Sequence, residues 1–184
     1  MYILRLGIAI GLAIFGTHLG ASSLPTLEQP LPPVVIADLG EVTLVENEFG
    51  YQPWDSSKGP SKVHILQYIA GTMSAKKTFE PFTDALQETF EIAHYHVTTI
   101  VNLDAATWGT GGLVVSEVKS SKREFPLSTI VMDEDGVGAE QWGLGKKGAG
   151  LAIMAATGEL LFFKQDSLSG EEISAALAIV RAQI

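Results

Sequence analysis

The chain has 184 residues, a hydrophobic fraction of 46% and no cysteine, and this length and apolar content suit one domain with a sizeable core. Its formal net charge of −9 argues against binding to nucleic acid or to an anionic membrane surface, because both require clustered Lys and Arg. The absence of cysteine excludes disulfides, thiolate metal sites and cysteine nucleophiles.

Residues 1–23 have the pattern of a cleaved secretory signal peptide. Arg5 gives the start a positive charge, an apolar stretch runs from Leu6 to Phe15, and small residues precede Leu24. The apolar stretch is shorter than the roughly 20 residues that a membrane-spanning helix prefers. We therefore expect export with cleavage between Ala21 and Leu24, and no stable membrane association afterwards.

The next part of the chain is predicted to be rich in strands. Residues 24–33 form a Pro-rich lead-in that is expected to be extended, because prolines do not suit a helix interior. The elements that follow are a strand over Val34–Ile36, a second stretch over Asp38–Leu44 with Gly40 at a turn, a loop from Asn47 to Pro60 and a buried strand over Val63–Ile69.

Helical periodicity begins near Ser74. Apolar residues three or four positions apart predict one buried face, formed by Phe79, Phe82, Leu86 and Phe90. Pro81 lies inside this pattern, so the sequence predicts either a kink or a helix that starts near Glu80.

The second half alternates strands and helices and then closes with a hairpin and a helix. The predicted elements are a strand over His96–Val101, a loop over Asp104–Gly112, a helix over Leu113–Glu124, a strand over Ser128–Met132, and a hairpin of Leu151–Met154 with Glu159–Phe163. Ser169 and Glu172 form a predicted capping box before the last helix. This order predicts an α/β three-layer sandwich with a central mixed β-sheet and flanking helices.

The element order resembles the thioredoxin-like fold in its secreted TlpA-like and peroxiredoxin-like form. The segments Asp38–Val42 and Lys62–Ile69, and Asp133–Gly136 followed by Trp142, are similar to the corresponding parts of those domains. The resemblance implies one thioredoxin-like domain over residues 34–184.

A narrower resemblance lies in the segment Gln67–Lys76. It resembles the Ile-Ala-Gly-x-x-Ser-Ala-Lys signature of the YtfJ family of bacterial periplasmic proteins. Further similar segments are Tyr51–Trp54, Thr98–Asp104, Gly109–Gly111 and Lys122–Pro126. The resemblance implies a thioredoxin-like fold and a periplasmic location, and it implies no established activity.

Two departures from thioredoxin-like enzymes bear on the chemistry. Those enzymes place a reactive Cys-x-x-Cys where the central strand meets the next helix, whose N-terminus lowers a thiol pKa. Here Thr72-Met73-Ser74-Ala75 stands at that position, and Ala149 stands where the cis-proline of the fold is expected. The chain is therefore not a thiol-disulfide oxidoreductase or a peroxiredoxin.

The candidate binding edge is the lost Cys-x-x-Cys position itself, made of Gly71, Thr72, Met73, Ser74, Ala75 and Lys76. A helix start offers N–H groups to an anion, whereas the interpretation we favour is that Ser74 caps the helix and Lys76 is solvated. The leading hypothesis is a binding or accessory protein whose partner is a periplasmic protein or a small anionic ligand. The alternative is a cysteine-independent enzyme that uses Ser74 and Lys76. No cofactor is expected.

Other polar patterns are interpreted as structural. Asp133–Gly136 lacks the later bidentate glutamate of a calcium loop and is expected to be a turn. His94 and His96 share one face of the predicted strand, but His64 lies in a predicted core strand, so no metal site is predicted. Trp54, Trp108 and Trp142 are expected to pack in the core or at its rim.

Overall fold

The computed structural model describes residues 24–72, 74–107 and 109–184, so the predicted signal peptide lies outside the described residues. The strands are β1 (Val35–Val45), β2 (Glu48–Asp55), β3 (Val63–Ala70), β4 (Tyr95–Asn102), β5 (Thr129–Asp133), β6 (Gly150–Met154) and β7 (Leu160–Gln165). The helices are α1 (Glu80–Thr89), α2 (Gly111–Glu124), α3 (Val137–Gln141) and α4 (Gly170–Gln183), with 3-10 turns at Ala75–Thr78 and Leu103–Ala105.

The described strands form one mixed sheet in the order β2-β1-β5-β4-β3-β6-β7. β3, β4 and β5 are parallel, whereas β6 runs antiparallel to β3. The crossovers through α1 and α2 step in the same direction along the sheet, and right-handed crossovers of this kind place both helices on one face. The predicted α/β sandwich with a mixed sheet is confirmed.

Alternate residues of β3 point into two cores on opposite faces of the sheet, and a third cluster of buried residues packs against α2 around Val114 and Val118. Ile65 packs with α1 and α4 on one face, and Leu66 packs on the other face with α3 and the lead-in. Nε1 of Trp142 donates a hydrogen bond to the carbonyl oxygen of Pro32 at 2.8 Å, which holds the lead-in against the second core. The lead-in forms no helix, as predicted, but it is not extended throughout, because it turns at Glu28, which has a φ of 65°.

The predicted loop over Asn47–Pro60 is wrong, because Glu48–Asp55 is strand β2. Glu46 and Asn47 have φ of 50° and 68°, which is the two-residue hairpin turn that matches strand twist. Pro53 obscured this strand in the sequence, but β2 lies at the sheet edge, where a residue without an N–H is tolerated.

The predicted turn at Gly40 is also wrong, since β1 continues through it. The register with β2 shifts between Ile36 and Glu41, and Leu39 and Gly40 have φ of 60° and 68°, so the chain forms a bulge. A Cβ at Gly40 would lie 2.3 Å from the carbonyl oxygen of Gln52, and this close approach requires glycine.

The helices confirm most of the periodic signals. α1 begins at Glu80 with Pro81 in its first turn, and the capping box of Ser169 and Glu172 is present. α3 was not predicted, because it is short and follows a glycine. Its start is stabilised from the end of β5, where the carboxylate of Asp133 accepts N–H hydrogen bonds from Val137 and Gly138, both at 2.9 Å.

Candidate functional site

The residues that the sequence assigns to the lost Cys-x-x-Cys position follow the carboxyl end of β3. The N–H of Gly71 donates to the carbonyl oxygen of Asn102 at 2.7 Å, and a Cβ on Gly71 would lie 2.6 Å from that oxygen. Thr72 Oγ1 lies 3.3 Å from Ser74 Oγ and accepts the N–H of Ala75 at 3.3 Å. The N–H of Ala75, which an anion at this edge would use, therefore already has the Thr72 hydroxyl as its acceptor.

The expected cap by Ser74 is wrong, because Ser74 precedes a 3-10 turn of four residues and makes no side-chain cap hydrogen bond. Lys76 is paired: its Nζ lies 2.5 Å from Glu117 Oε1 of α2. The hydrogen bond to Glu117 raises the pKa of Lys76, and the negative charges of Glu117, Glu124 and Glu80 act in the same direction. Met73, which the sequence placed in this edge, lies outside the described residues.

Ala149 lies immediately before β6 and next to the carboxyl end of β3, because Gly150 is the register partner of Tyr68. It is buried in the core that contains Phe79 and Leu151, and its carbonyl oxygen accepts the N–H of Asp166 at 3.1 Å. No cis peptide bond occurs in the described part of the chain.

A groove that the sequence did not predict begins at the lost Cys-x-x-Cys position. This α1–α2 groove has a volume of about 370 Å³ and runs between α1 and α2. One end of the groove lies next to the carboxyl ends of β3 and β4 and is lined by Gly71, Thr72 and Lys76. Ile92 and Phe125 line the opposite end, and these side chains are 46% and 42% exposed.

The floor of the groove is formed mainly by β4. Its lining residues from the sheet are Gln67, Ile69, Ala70, Tyr95, Val97, Thr99, Val101 and Ile130. Val97 and Thr99 lie at the middle of a central strand and are nevertheless only half-buried. A strand in this position is ordinarily covered on both faces, so the floor is apolar sheet surface that α1 and α2 leave open.

The rim of the groove, formed by α1 and α2, is acidic. Among the described residues that line it, the charged side chains are Lys76, Glu80, Asp84, Glu117 and Glu124. The described lining thus contains four carboxylates and one ammonium group, and that ammonium is paired with Glu117.

The histidines are arranged differently from the prediction. His94 precedes β4 and does not share a strand face with His96. Instead, His96 is the register partner of His64 across β3 and β4, and the two ring centroids are 5.6 Å apart. Each ring bonds a threonine hydroxyl, His64 with Thr98 at 2.8 Å and His96 with Thr129 at 2.9 Å.

Burial lowers the pKa of His64 to about 3, and the neighbouring His96 adds to this effect. Burial also lowers the pKa of His96. Two neutral histidines bonded to hydroxyls are a structural pair. In the described ranges, no group of three or more His, Asp or Glu side chains is arranged to hold a metal ion.

A second buried polar cluster joins β3, β5 and α3. Tyr68 donates its hydroxyl hydrogen bond to Asp133 Oδ2 at 2.7 Å, and both side chains are fully buried. Burial and the Asp133 carboxylate raise the pKa of Tyr68. Since Asp133 also accepts the N–H groups of α3, this cluster holds the fold together and is not open to a ligand.

Residues 26–183 match the family described as "Bacterial protein of unknown function (YtfJ_HI0045)". The chain belongs to the YtfJ family. An uncharacterized protein of Haemophilus influenzae is 33% identical over 168 residues, 91% of each chain. The uncharacterized protein YtfJ of Escherichia coli is 32% identical over 155 residues, 83% of this chain and 84% of that one. The resemblance carried by Gln67–Lys76 is thereby confirmed.

The fold of this YtfJ-family chain is thioredoxin-like. It is similar to the thioredoxin domain of a thiol-disulfide oxidoreductase from Bacteroides vulgatus, with a TM-score of 0.52, 10% identity, and coverage of 84% of this chain and 97% of that one. Such low identity shows the fold alone. The family member described here has no cysteine, so it cannot perform dithiol exchange.

None of the described helices is both long enough and apolar enough to cross a lipid bilayer.

Proposed function

We propose that this chain is a periplasmic binding protein without redox chemistry, and that its ligand lies in the α1–α2 groove. The observation that supports this function is the open floor: Val97 and Thr99 belong to a central strand yet are only half-buried. A ligand on this floor would remove apolar surface from water, which stabilises a complex by about 25 cal/mol for each Å² buried.

The size of the groove also suits a ligand. Its volume of about 370 Å³ falls near the lower end of the roughly 300–1,000 Å³ that small-molecule sites occupy. The predicted binding edge, represented by Gly71, Thr72 and Lys76, forms one end of the same groove. The binding hypothesis therefore extends from that edge along β4.

The geometry gives less support to a cysteine-independent enzyme. A serine nucleophile needs an adjacent base to activate it. In the described part of the chain, the hydrogen-bond partner of Ser74 Oγ is Thr72 Oγ1 at 3.3 Å, and Lys76 is held by Glu117. The binding function is accordingly the one we propose.

The periplasmic location rests on the signal-like pattern of residues 1–23 and on the family resemblance. Mass spectrometry of the full-length product, expressed in a bacterium and recovered from its periplasm, tests this location. The expected mass corresponds to a chain that starts between Ser22 and Leu24. A full-length chain found only in the membrane fraction would contradict export.

Groove binding is tested with a nonionic decyl ligand, decyl maltoside, added below its micelle concentration. We expect the NMR signals of the backbone amides of Val97 and Thr99 to shift during the titration. V97F fills the floor and should weaken binding about tenfold, the effect of losing roughly two buried methylenes of the ligand.

V45F is the matched control, because Val45 is exposed at the β1–β2 hairpin, away from the groove. It should leave the affinity unchanged. Equal weakening by V45F and V97F, or shifts confined to another face, would contradict the groove as the binding site. Thermal unfolding of both variants verifies that they fold.

A further inference from the structure

We propose that the α1–α2 groove binds a cationic amphiphile, whose alkyl chain lies along β4 and whose ammonium head lies at the acidic rim beside Glu117. This inference rests on the proposed function, because it names the ligand class of the same groove.

The charges of the rim select the head group. The carboxylates come from both walls, with Glu80 and Asp84 on α1 and Glu117 and Glu124 on α2. The apolar floor beneath these carboxylates has a low dielectric constant, which strengthens their attraction for a cation. An anionic head would meet these carboxylates, and the one lysine of the described lining is already paired with Glu117.

The apolar floor selects the tail. Val97 and Val101 lie on one face of β4, which runs the length of the groove. The floor ends at the exposed side chains of Ile92 and Phe125, away from Lys76. An extended alkyl chain fits this surface, because it needs no hydrogen-bond partners and gains from contact with apolar side chains.

Lys76 occupies the place of the ligand head in the structure described. Its ammonium joins the α1 side of the groove to Glu117 on α2, and the two side chains are 56% and 41% exposed. A cationic head therefore competes with Lys76 for Glu117. Removing the lysine should strengthen the binding of a cation and weaken the binding of an anion, so the sign of the effect identifies the ligand class.

The experiment uses two probes with the same chain, decyltrimethylammonium and decyl sulfate, each below its micelle concentration and measured by isothermal titration calorimetry. We expect the full chain to bind decyltrimethylammonium more tightly. K76M, which keeps the apolar stem, should tighten that binding about two- to fivefold, and E124Q should weaken it about two- to fivefold, the range for one partly exposed ion pair.

E88Q is the matched control. Glu88 is exposed on α1 and does not line the groove, so E88Q removes one negative charge while leaving the rim intact. Its affinity for decyltrimethylammonium should equal that of the unaltered chain. If E88Q weakens binding as much as E124Q does, net charge explains the preference and the proposed head-group site is wrong.

The outcomes separate the two proposals. If decyl sulfate binds as tightly as decyltrimethylammonium, or K76M weakens cation binding, the cationic class is overturned; weakening of both probes by V97F would leave the groove function standing. If V97F leaves the affinity for every decyl probe unchanged, the groove function itself fails. A dimer of the unliganded chain in sedimentation, dissociated by the probe, would assign the groove to a second copy and overturn the small cationic ligand.

Discussion

Gly138 contacts the ring of Tyr68 so closely that no larger residue fits at its position. A Cβ at Gly138 would lie 2.5 Å from Cε2 of Tyr68 and 3.4 Å from Oδ2 of Asp133. Tyr68 cannot move aside easily, because its ring is fully buried and packs edge-on against Trp142 with ring centroids 5.9 Å apart. Because Gly138 has no side chain, α3 can approach β3 closely enough for Asp133 to accept hydrogen bonds from both Tyr68 and Gly138.

We expect G138A to lower the free energy of unfolding by about 1–3 kcal/mol, the usual effect of overpacking a core. G170A is the control, since a Cβ at Gly170 would meet no atom within 4 Å and alanine favours a helix. Urea unfolding of both variants measures the difference. Equal stability of G138A and the unaltered chain would show that α3 does not pack on Tyr68 as described.

The sequence predicts which residues form the candidate edge, but it does not predict what those residues contact. The cysteine-free stretch that follows Gly71 was evident from the sequence alone, since it follows a strongly apolar strand. The pairing of Lys76 was not, because its partner Glu117 lies 41 positions along the chain. Local sequence contains no signal for such a contact, so the sequence alone predicts a solvated Lys76.

Among the elements, α4 shows how a local signal defines a helix end. Ser169 Oγ accepts the N–H of Glu172 at 3.2 Å, and the Glu172 carboxylate accepts the N–H of Ser169 at 2.8 Å. Glu172 also pairs with Lys164 of β7 at 2.7 Å. The cap therefore fixes where α4 begins and places Ala176 and Val180 against the core.

We expect S169A to lower the free energy of unfolding by about 0.5–2 kcal/mol, the usual effect of losing an N-cap. S174A on the same helix is the control, because Ser174 is exposed and its hydroxyl donates to the carbonyl oxygen of Gly170 within α4. Chemical denaturation followed by circular dichroism measures both. A loss for S174A that matched the loss for S169A would argue that the cap is not the stabilising feature.

The elements that were missed lack such local signals. β2 contains Gly50 and Pro53 and is stabilised by pairing with β1. α3 has five residues, and its N–H groups are satisfied by Asp133 at the end of β5. By contrast, β3 carries its apolar pattern in consecutive residues, and its predicted end differs from the structure by one residue. For α1, the structure shows the predicted alternative that starts near Glu80.

The α1–α2 groove is a property of the whole molecule. Periodicity identifies the inner faces of α1 and α2 one at a time, for example through Phe82 and Val118. Periodicity does not predict the distance between α1 and α2. That distance depends on the spacing of β3, β4 and β5, which the two helices connect. The groove and its acidic rim therefore became visible only with the folded chain.

Buried histidines couple the stability of the whole molecule to pH. Burial holds the pKa of His64 at about 3, below its ordinary 6.5. The unfolded chain takes up a proton as the pH falls below about 6.5, whereas the folded chain does not until about 3. The contribution of His64 is therefore complete above pH 6.5 and is lost progressively between 6.5 and 3.

We expect the free energy of unfolding to be lower at about pH 5 than at about pH 7.5 by roughly 2 kcal/mol from His64 alone. His96 acts in the same direction, because burial lowers its pKa as well. H64Q should reduce this difference between the two pH values by the roughly 2 kcal/mol that His64 contributes. H94Q changes an exposed position and should leave the difference unchanged. Guanidinium titrations at both pH values test this, and an unchanged difference in H64Q would mean that His64 is protonated in the folded chain at pH 5. The carboxylates of Asp55 and Glu172 have lowered pKa values, so the stability that they contribute is lost at more acidic pH.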